Sequence, residues 1–280
     1  MKEKFGIVRC SNPQLPQVRE EIERVCAIAS ANGAEAVVGK YLFTDEDAFT
    51  PGWVRAEELM KLYRTEGMTH IFDISGGDMA NDVLDYLDYD VIAKSNATFW
   101  GYSDLSTVIN AIYTKTGKPS HWYQIRNLVR DTTGARLRDF ENWRGHGDGE
   151  LLRFDYEFLR GETVEGIVIG GNIRCLLKLA GTEYFPDVEG KILFLEALSG
   201  EHPQMAAQFG QLRQLGVFKK VKAVVLGTFT KMEETGSVPT VEEIALRYIP
   251  ENVALIKTKQ VGHARDSKAV LIGGHYTFVK

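Results

Sequence analysis

Cysteine is scarce in this sequence of 280 residues, which contains only Cys10, Cys26 and Cys175. The three thiols are far apart in sequence, form no CxxC pair and are too few for a disulfide framework. Long apolar runs are also missing. The stretch from Phe5 to Val8 is too short for the core of a signal peptide, and no run reaches the length of a membrane span. We therefore expect a reduced, cytoplasmic protein with no membrane partner.

An excess of positive charge is absent as well. The 33 Lys and Arg residues are outnumbered by 38 Asp and Glu residues, which gives a formal net charge of -5. Because no basic cluster offsets this balance, nucleic acid is a poor candidate partner. The sequence also contains no HExxH motif, and no Lys or Ser follows Gly76-Gly77 at P-loop spacing. We expect neither a metal nor another cofactor.

What is present is a regular alternation of strand and helix patterns in the first half of the chain. FGIVR (5–9), THIFDI (69–74) and ATFWGY (97–102) are typical of buried strands, and helix-period segments separate them. This order predicts an α/β fold whose N-terminal domain is a flavodoxin-like parallel sheet with helices on both faces.

The alternation stops after about residue 115 and resumes near Thr163. We therefore predict an N-terminal α/β domain over 1–138, an irregular linker over 139–162 and a C-terminal domain over 163–280. In the last part, Asn172 is a predicted N-cap, Thr240 and Glu243 form a predicted capping box, and VLIGGHYTFV (270–279) reads as the final strand.

Three residues follow predicted strands and are suited to nucleophilic catalysis. Ser103 follows ATFWGY, Glu196 follows KILFL, and His263 follows VALIKTKQVG. A hydroxyl needs a neighbouring imidazole to remove its proton, and the imidazole needs a carboxylate to fix its tautomer. Each residue also has an ordinary interpretation, because a serine after a strand is usually an N-cap and the other two can be solvated loop residues. The pattern alone leaves both interpretations open.

The turn at Ser103 also suggests an oxyanion site. The backbone N–H of Asp104 would point toward an oxyanion formed next to Ser103. A second donor could come from the loop Ser75-Gly76-Gly77-Asp78, since glycines allow close backbone approach. That loop is also compatible with a simple turn.

Taken together, these segments resemble the LD-carboxypeptidase family of serine peptidases, including its branch of microcin C immunity peptidases. The resemblance rests on five blocks in order: ISGGD (74–78), LDYLDYDVI (84–92), FWGYSDLS (99–106), VEGIVIGGNIRCLLKLAGTEYFPDVEGKILFLEA (164–197) and VGHA (261–264). It implies that Ser103 is the nucleophile, Glu196 the orienting residue and His263 the general base. It also implies that the C-terminal domain over 163–280 is largely β, and it implies an oxyanion hole formed by the amides of Asp104 and Gly77, no cofactor, and a homodimer.

The resemblance leaves the substrate open. Family members cleave the amide between an L-centre and a D-residue in murein peptides or, in the immunity branch, an amide that joins an amino acid to a sulfamoyl nucleotide. Gly76 and Ser75 are predicted to contact the substrate, although murein-specific members often carry arginine at the position of Ser75. Trp143 or Trp122 could stack on a purine. A third hypothesis is a non-catalytic protein that binds a peptide or nucleotide in the same cleft.

Overall fold

The computed structural model describes residues 2–43, 49–147 and 149–280. These residues contain twelve strands: β1 (Lys4–Val8), β2 (Glu35–Val38), β3 (Met68–Asp73), β4 (Thr98–Gly101), β5 (Ser120–Trp122), β6 (Glu157–Arg160), β7 (Thr163–Asn172), β8 (Ile192–Ala197), β9 (Ala223–Phe229), β10 (Ala254–Lys257), β11 (Val270–Ile272) and β12 (His275–Val279). Ten α-helices accompany them in the described ranges: α1 (Arg19–Ala31), α2 (Gly52–Arg64), α3 (Tyr89–Lys94), α4 (Ser106–Thr116), α5 (Asn127–Arg130), α6 (Ala135–His146), α7 (Ile173–Leu177), α8 (His202–Gln214), α9 (Thr230–Thr235) and α10 (Val241–Tyr248).

The strands form two six-stranded sheets. In the first sheet, β2, β1, β3, β4 and β5 are parallel neighbours in that order, and β11 extends the sheet antiparallel to β5. The order 2-1-3-4-5 is that of a flavodoxin-like sheet, whose binding crevice lies at the carboxyl ends of the strands. The predicted α/β class is therefore confirmed.

The second sheet supplies the β-rich C-terminal part. Its central strands β7, β8, β9 and β10 are parallel, with β12 and β6 added antiparallel at the two edges. The buried apolar residues of the described ranges form three clusters, and one of these joins the two sheets: Leu105, Val108 and Trp122 belong to the same cluster as Val168 and Phe194. The sheets are thus held against each other by apolar burial, which fixes their strand ends relative to one another.

Two expectations about the second half need correction. Residues 270–279 are not one strand, because the chain turns at Gly273, where φ is +85°, and β11 and β12 join different sheets. The segment predicted to be irregular contains the end of α6 and all of β6, while its residue 148 lies outside the described residues. The domain boundaries at 138 and 163 stay a prediction.

The helices are short. Within residues 2–43, 49–147 and 149–280, none combines the length and apolarity that a membrane-spanning helix requires.

Candidate active site

Ser103 lies at the sharp turn between β4 and α4. Its φ of 54° is left-handed, and in the part of the chain that the structure describes it is the only non-glycine residue with positive φ. Such a conformation is rare for a residue with a Cβ atom and is kept when the surrounding structure enforces it. Gly101 contributes, because a Cβ atom there would lie 2.7 Å from the Leu105 Cβ. The tight turn brings the half-buried Ser103 to the edge of a cleft.

The next residue, Asp104, is fully buried and fixes this turn. Its carboxylate accepts hydrogen bonds from Ser11 Oγ at 2.6 Å, from the Ala80 amide at 2.8 Å and from Lys178 Nζ at 2.5 Å. Asp104 is the second residue of the helical turn Ser103–Leu105, where the first N–H groups have no partner inside the helix. Its amide is therefore available to stabilise negative charge beside Ser103.

The glycine loop after β3 lies beside the same turn. A Cβ atom on Gly76 would be 3.9 Å from the Ser103 Cβ, whereas one on Gly77 would overlap the Asn12 side chain. Gly77 has a φ of 126°, which only glycine adopts readily. The Asp78 amide donates to Asn12 Oδ1 at 3.1 Å and thereby holds the loop in place. Glycine at position 77 thus lets the loop backbone pack against the Asn12 side chain.

Ser75 does not reach the cleft, which corrects the prediction that its side chain contacts the substrate. It is fully buried. Its hydroxyl donates to Asp73 Oδ1 at 2.5 Å and accepts from the Ser11 amide at 3.0 Å. Burial raises the pKa of Asp73 to about 6, although the hydrogen bonds that it accepts from Ser75 and Cys10 oppose this effect. Ser75 therefore ties the glycine loop to the chain after β1.

Glu196 and His263 are brought together by the second sheet. Glu196 is fully buried near the end of β8, and its Oε2 lies 2.7 Å from His263 Nδ1. Its other oxygen accepts from Asn172 Nδ2 at 2.8 Å. Because the Glu196 oxygen accepts a hydrogen bond from Nδ1, the neutral imidazole in this position has its proton on Nδ1 and an acceptor at Nε2.

Two glycines allow the His263 loop to approach Glu196. A Cβ atom on Gly227 would lie 2.6 Å from the Val261 carbonyl oxygen and 3.1 Å from the Glu196 Cβ. A Cβ atom on Gly262 would overlap the Thr228 hydroxyl. The Thr228 amide donates to the Val261 carbonyl at 2.9 Å. The loop thus packs directly on the ends of β8 and β9.

The imidazole of His263 faces the Ser103 turn. Its ring centroid is 4.9 Å from that of Tyr102, the residue before Ser103. Its Nε2 is buried and has no hydrogen-bond partner among the described residues, Ser103 included. Hydrogen bonds between a nucleophile and its base are often long without substrate and shorten in the complex. The arrangement is one in which Nε2 can accept a proton.

Polar contacts between α4 and β7 join the two halves of the site. Ser106 Oγ accepts from the Asn172 amide at 2.9 Å and from Trp122 Nε1 at 3.0 Å. Gly171, with φ of 138°, permits this approach, because a Cβ atom there would lie 2.8 Å from Trp122 Nε1 and would overlap Ser106 Oγ. The helix that follows Ser103 is thereby held to the strand that ends at Asn172.

Comparison with known proteins identifies the family. Residues 5–123 match the LD-carboxypeptidase N-terminal domain and residues 165–278 match the LD-carboxypeptidase C-terminal domain. This protein belongs to the LD-carboxypeptidase family. It is thus a carboxypeptidase-like hydrolase.

The relatives of this LD-carboxypeptidase family member include a microcin self-immunity protein and a probable murein peptide carboxypeptidase. It is 28% identical over 267 residues to the microcin C7 self-immunity protein MccF of Escherichia coli, covering 83% of this chain and 77% of that protein. It is 24% identical over 281 residues to the probable murein peptide carboxypeptidase of Bacillus subtilis, covering 96% and 86%. The structure of MccF in complex with aspartyl sulfamoyl adenosine superposes with a TM-score of 0.84 at 23% identity, over 100% of this chain and 93% of that one. These similarities confirm the fold.

Trp143 lies elsewhere in this LD-carboxypeptidase fold, which corrects the prediction that it binds the substrate. It belongs to α6, and its ring packs 4.9 Å from Trp100 and 5.0 Å from His121, measured between centroids. Trp122, the other tryptophan predicted to stack on a base, is 1% exposed and donates to Ser106. Both tryptophans stabilise the first sheet and its helices.

The cleft at Ser103 contains residues that the sequence did not single out for the site. It is lined by Gly77, Asp78, Ser103, Asn172, Arg174, Ala197, Leu198, Ser199 and Gln208. Asn172 was predicted only as an N-cap, and it fills that role by accepting from the Cys175 amide. It is also paired with Glu196 across β7 and β8. Its place at the same strand edge as Glu196 is the signal that could have found it.

Proposed function

We propose that this protein is a serine peptidase that hydrolyses the amide between an L-centre and a terminal D-amino acid in murein tetrapeptides. In this proposal Ser103 is the nucleophile, His263 the general base and Glu196 the residue that orients the imidazole. The strongest support is the position of His263, whose ring packs 4.9 Å from Tyr102 at the Ser103 turn while its Nδ1 lies 2.7 Å from Glu196.

The first half-reaction would form an ester on Ser103. The Ser103 hydroxyl oxygen attacks the amide carbonyl carbon while His263 Nε2 takes up the hydroxyl proton. The carbonyl oxygen becomes an oxyanion and accepts hydrogen bonds from the amides of Asp104 and Gly77. When this intermediate collapses, the C–N bond breaks, His263 gives its proton to the leaving amine and the terminal amino acid departs.

The second half-reaction would release the shortened peptide. Water attacks the ester carbonyl carbon, and His263 Nε2 accepts the proton that water loses. The same two amides stabilise the second oxyanion. Collapse breaks the bond to Ser103 Oγ, which recovers its proton from His263. Glu196 stabilises the imidazolium in both half-reactions.

A second candidate function is an amidase that cleaves an aminoacyl or peptidyl sulfamoyl nucleotide, as expected for the immunity branch. One observation favours it: Ser75, at a position where murein-specific members often have arginine, is buried and presents no cation to the cleft. The relative MccF was solved with aspartyl sulfamoyl adenosine bound. Trp122 is buried and Trp143 packs against Trp100, and neither lines the Ser103 cleft, so neither tryptophan offers this function a stacking surface there.

The two functions are separated by offering both substrates. The protein is incubated with a murein tetrapeptide and, in a separate reaction, with aspartyl sulfamoyl adenosine, and products are followed by mass spectrometry. We expect release of the terminal D-amino acid from the tetrapeptide and no reaction by the Ser103→Ala variant. Ser30→Ala, which removes an exposed hydroxyl from α1, is the matched control and should retain activity.

The outcomes are distinct. Cleavage of the nucleotide alone would support the immunity-type function, and cleavage that survives in Ser103→Ala would refute the assignment of the nucleophile. A protein that cleaves neither substrate would be better explained as a binding protein. The homodimer implied by the family stays a prediction, which light scattering of the same preparation tests.

A further inference from the structure

Arg174 places a guanidinium group on the wall of the cleft that contains Ser103. It is the second residue of α7, directly after the strand that ends at Asn172. Its Nη2 donates to the Gly77 carbonyl at 3.0 Å, and its Nη1 forms an ion pair with Asp78. The cation is thus attached to the loop whose amide we propose for the oxyanion hole.

The guanidinium retains capacity to bind a ligand. Two of its five N–H groups are used by Gly77 and Asp78. The Arg174 side chain is 47% exposed and that of Asp78 is 65% exposed. An ion pair this exposed contributes little and can be exchanged for another carboxylate at small cost. Arginine is suited to this role because its planar fork binds a carboxylate through two parallel hydrogen bonds.

A second residue of the cleft has an unused polar group. Gln208, on α8, lines the same cleft as Arg174 and Ser103. Its Oε1 is buried and has no hydrogen-bond partner in residues 2–43, 49–147 and 149–280. A buried acceptor of this kind is costly unless a ligand donates to it. A cation and a neutral acceptor in one cleft complement a ligand that carries both a carboxylate and an N–H group.

We infer that Arg174 is a specificity-determining residue that binds the free α-carboxylate of the terminal amino acid, with Gln208 accepting an N–H group of the same residue. The inference rests on the proposed function and narrows its substrate class to peptides with a free C-terminal acid. It also explains how this chain recognises a carboxylate although Ser75 is buried. The cation comes from α7 in the second half of the chain and reaches across the cleft to the glycine loop.

A binding measurement on an inactive variant tests this inference independently of catalysis. The Ser103→Ala variant is titrated calorimetrically with a murein tetrapeptide and with the same peptide amidated at its C-terminus. We expect the free acid to bind about 10- to 100-fold more tightly than the amide, as is typical of a charge-assisted hydrogen-bonded pair. Adding Arg174→Gln to the Ser103→Ala variant should abolish the preference for the free acid. Arg174→Lys should retain part of that preference, because the positive charge remains while the two parallel hydrogen bonds of the guanidinium are lost.

A matched control is Arg64→Gln on α2, which also removes a half-exposed arginine that is paired with acidic residues. It should leave the preference for the acid unchanged. Equal affinity for acid and amide in the Ser103→Ala protein, no measurable binding of the acid, or a preference that persists in Arg174→Gln would each overturn the inference. A protein with Ser103 intact that binds the acid preferentially but does not hydrolyse it would refute the proposed catalysis alone.

Discussion

Lys178 Nζ lies 2.5 Å from Asp104 Oδ1 and also donates to the Asp78 carbonyl at 2.8 Å. One lysine from the second half of the chain therefore holds both segments that we propose to supply oxyanion donors. Asp104 is fully buried, whereas the Lys178 side chain is 20% exposed. A charge buried to this degree is stable only while it keeps its partners.

We expect Lys178→Met to lower both stability and activity. The substitution removes the cation and leaves the Asp104 carboxylate with neutral donors, so the free energy of unfolding should fall by about 3 kcal/mol. Loss of the tether to the glycine loop should reduce kcat more than it changes KM, because the oxyanion donors act in the transition state. Urea unfolding and steady-state kinetics measure the two effects. Lys115→Met, which breaks the exposed pair with Glu183, is the control and should cost less than about 1 kcal/mol.

Glu196→Gln should abolish most activity without unfolding the protein. A glutamine oxygen can still accept from Asn172, but the amide nitrogen would then face His263 Nδ1 and select the tautomer with the proton on Nε2. That tautomer cannot act as a base toward Ser103, so kcat should fall by about 10³- to 10⁴-fold. The change is measured by kinetics, with circular dichroism to verify folding. Glu183→Gln, at an exposed site, is the control, and a loss below about 10-fold would contradict the orienting role of Glu196.

Gly262→Ala should displace His263 through a clash with Thr228. The added methyl group would overlap the Thr228 hydroxyl, whose residue is 8% exposed and has little room to move. A misplacement of about 1 Å in a catalytic group can cost about 100-fold in rate, so we expect a loss of kcat of that order. Thr228→Ala removes the hydroxyl, and the double variant should recover part of the activity. Equal activity of the single and double variants would show that the clash is not the cause.

The sequence predicted the local features of this fold well. Asn172 caps α7, and Thr240 forms a reciprocal capping box with Glu243, because these signals depend only on neighbouring residues. The strand pattern also predicted that the strands of the N-terminal sheet run parallel, as β2, β1, β3, β4 and β5 do. The sheet to which each strand belongs was harder to predict. Gly273 divides the last predicted strand between two sheets, and pairing with a strand that is distant in sequence leaves little trace in a short apolar run.

The candidate site was only partly predictable for the same reason. Ser103, Glu196 and His263 carry residue types with a known chemistry and follow strands, so they could be proposed from the sequence. Arg174 and Lys178 lie on or just after a short helix, and their importance comes from contacts with a loop about 100 positions earlier. Trp143 was misjudged because its aromatic cluster is assembled from α6 and three strands that are distant in sequence.

His70 should make the protein less stable in acid. Burial lowers its pKa to about 4, and its Nδ1 accepts a hydrogen bond from Trp100 Nε1 at 3.3 Å, which requires the neutral ring. The pKa of His70 is lower in the folded protein than its value of about 6.5 in the unfolded chain. The neutral ring therefore makes its full contribution to the free energy of unfolding above about pH 6.5. That contribution falls by about 3 kcal/mol as the pH falls toward 4. His70→Asn keeps an acceptor for Trp100 but does not titrate, so its free energy of unfolding should fall less steeply between pH 6.5 and 4 in urea titrations. His146→Asn, at an exposed site, should keep the original slope, and an unchanged slope in His70→Asn would contradict the assignment.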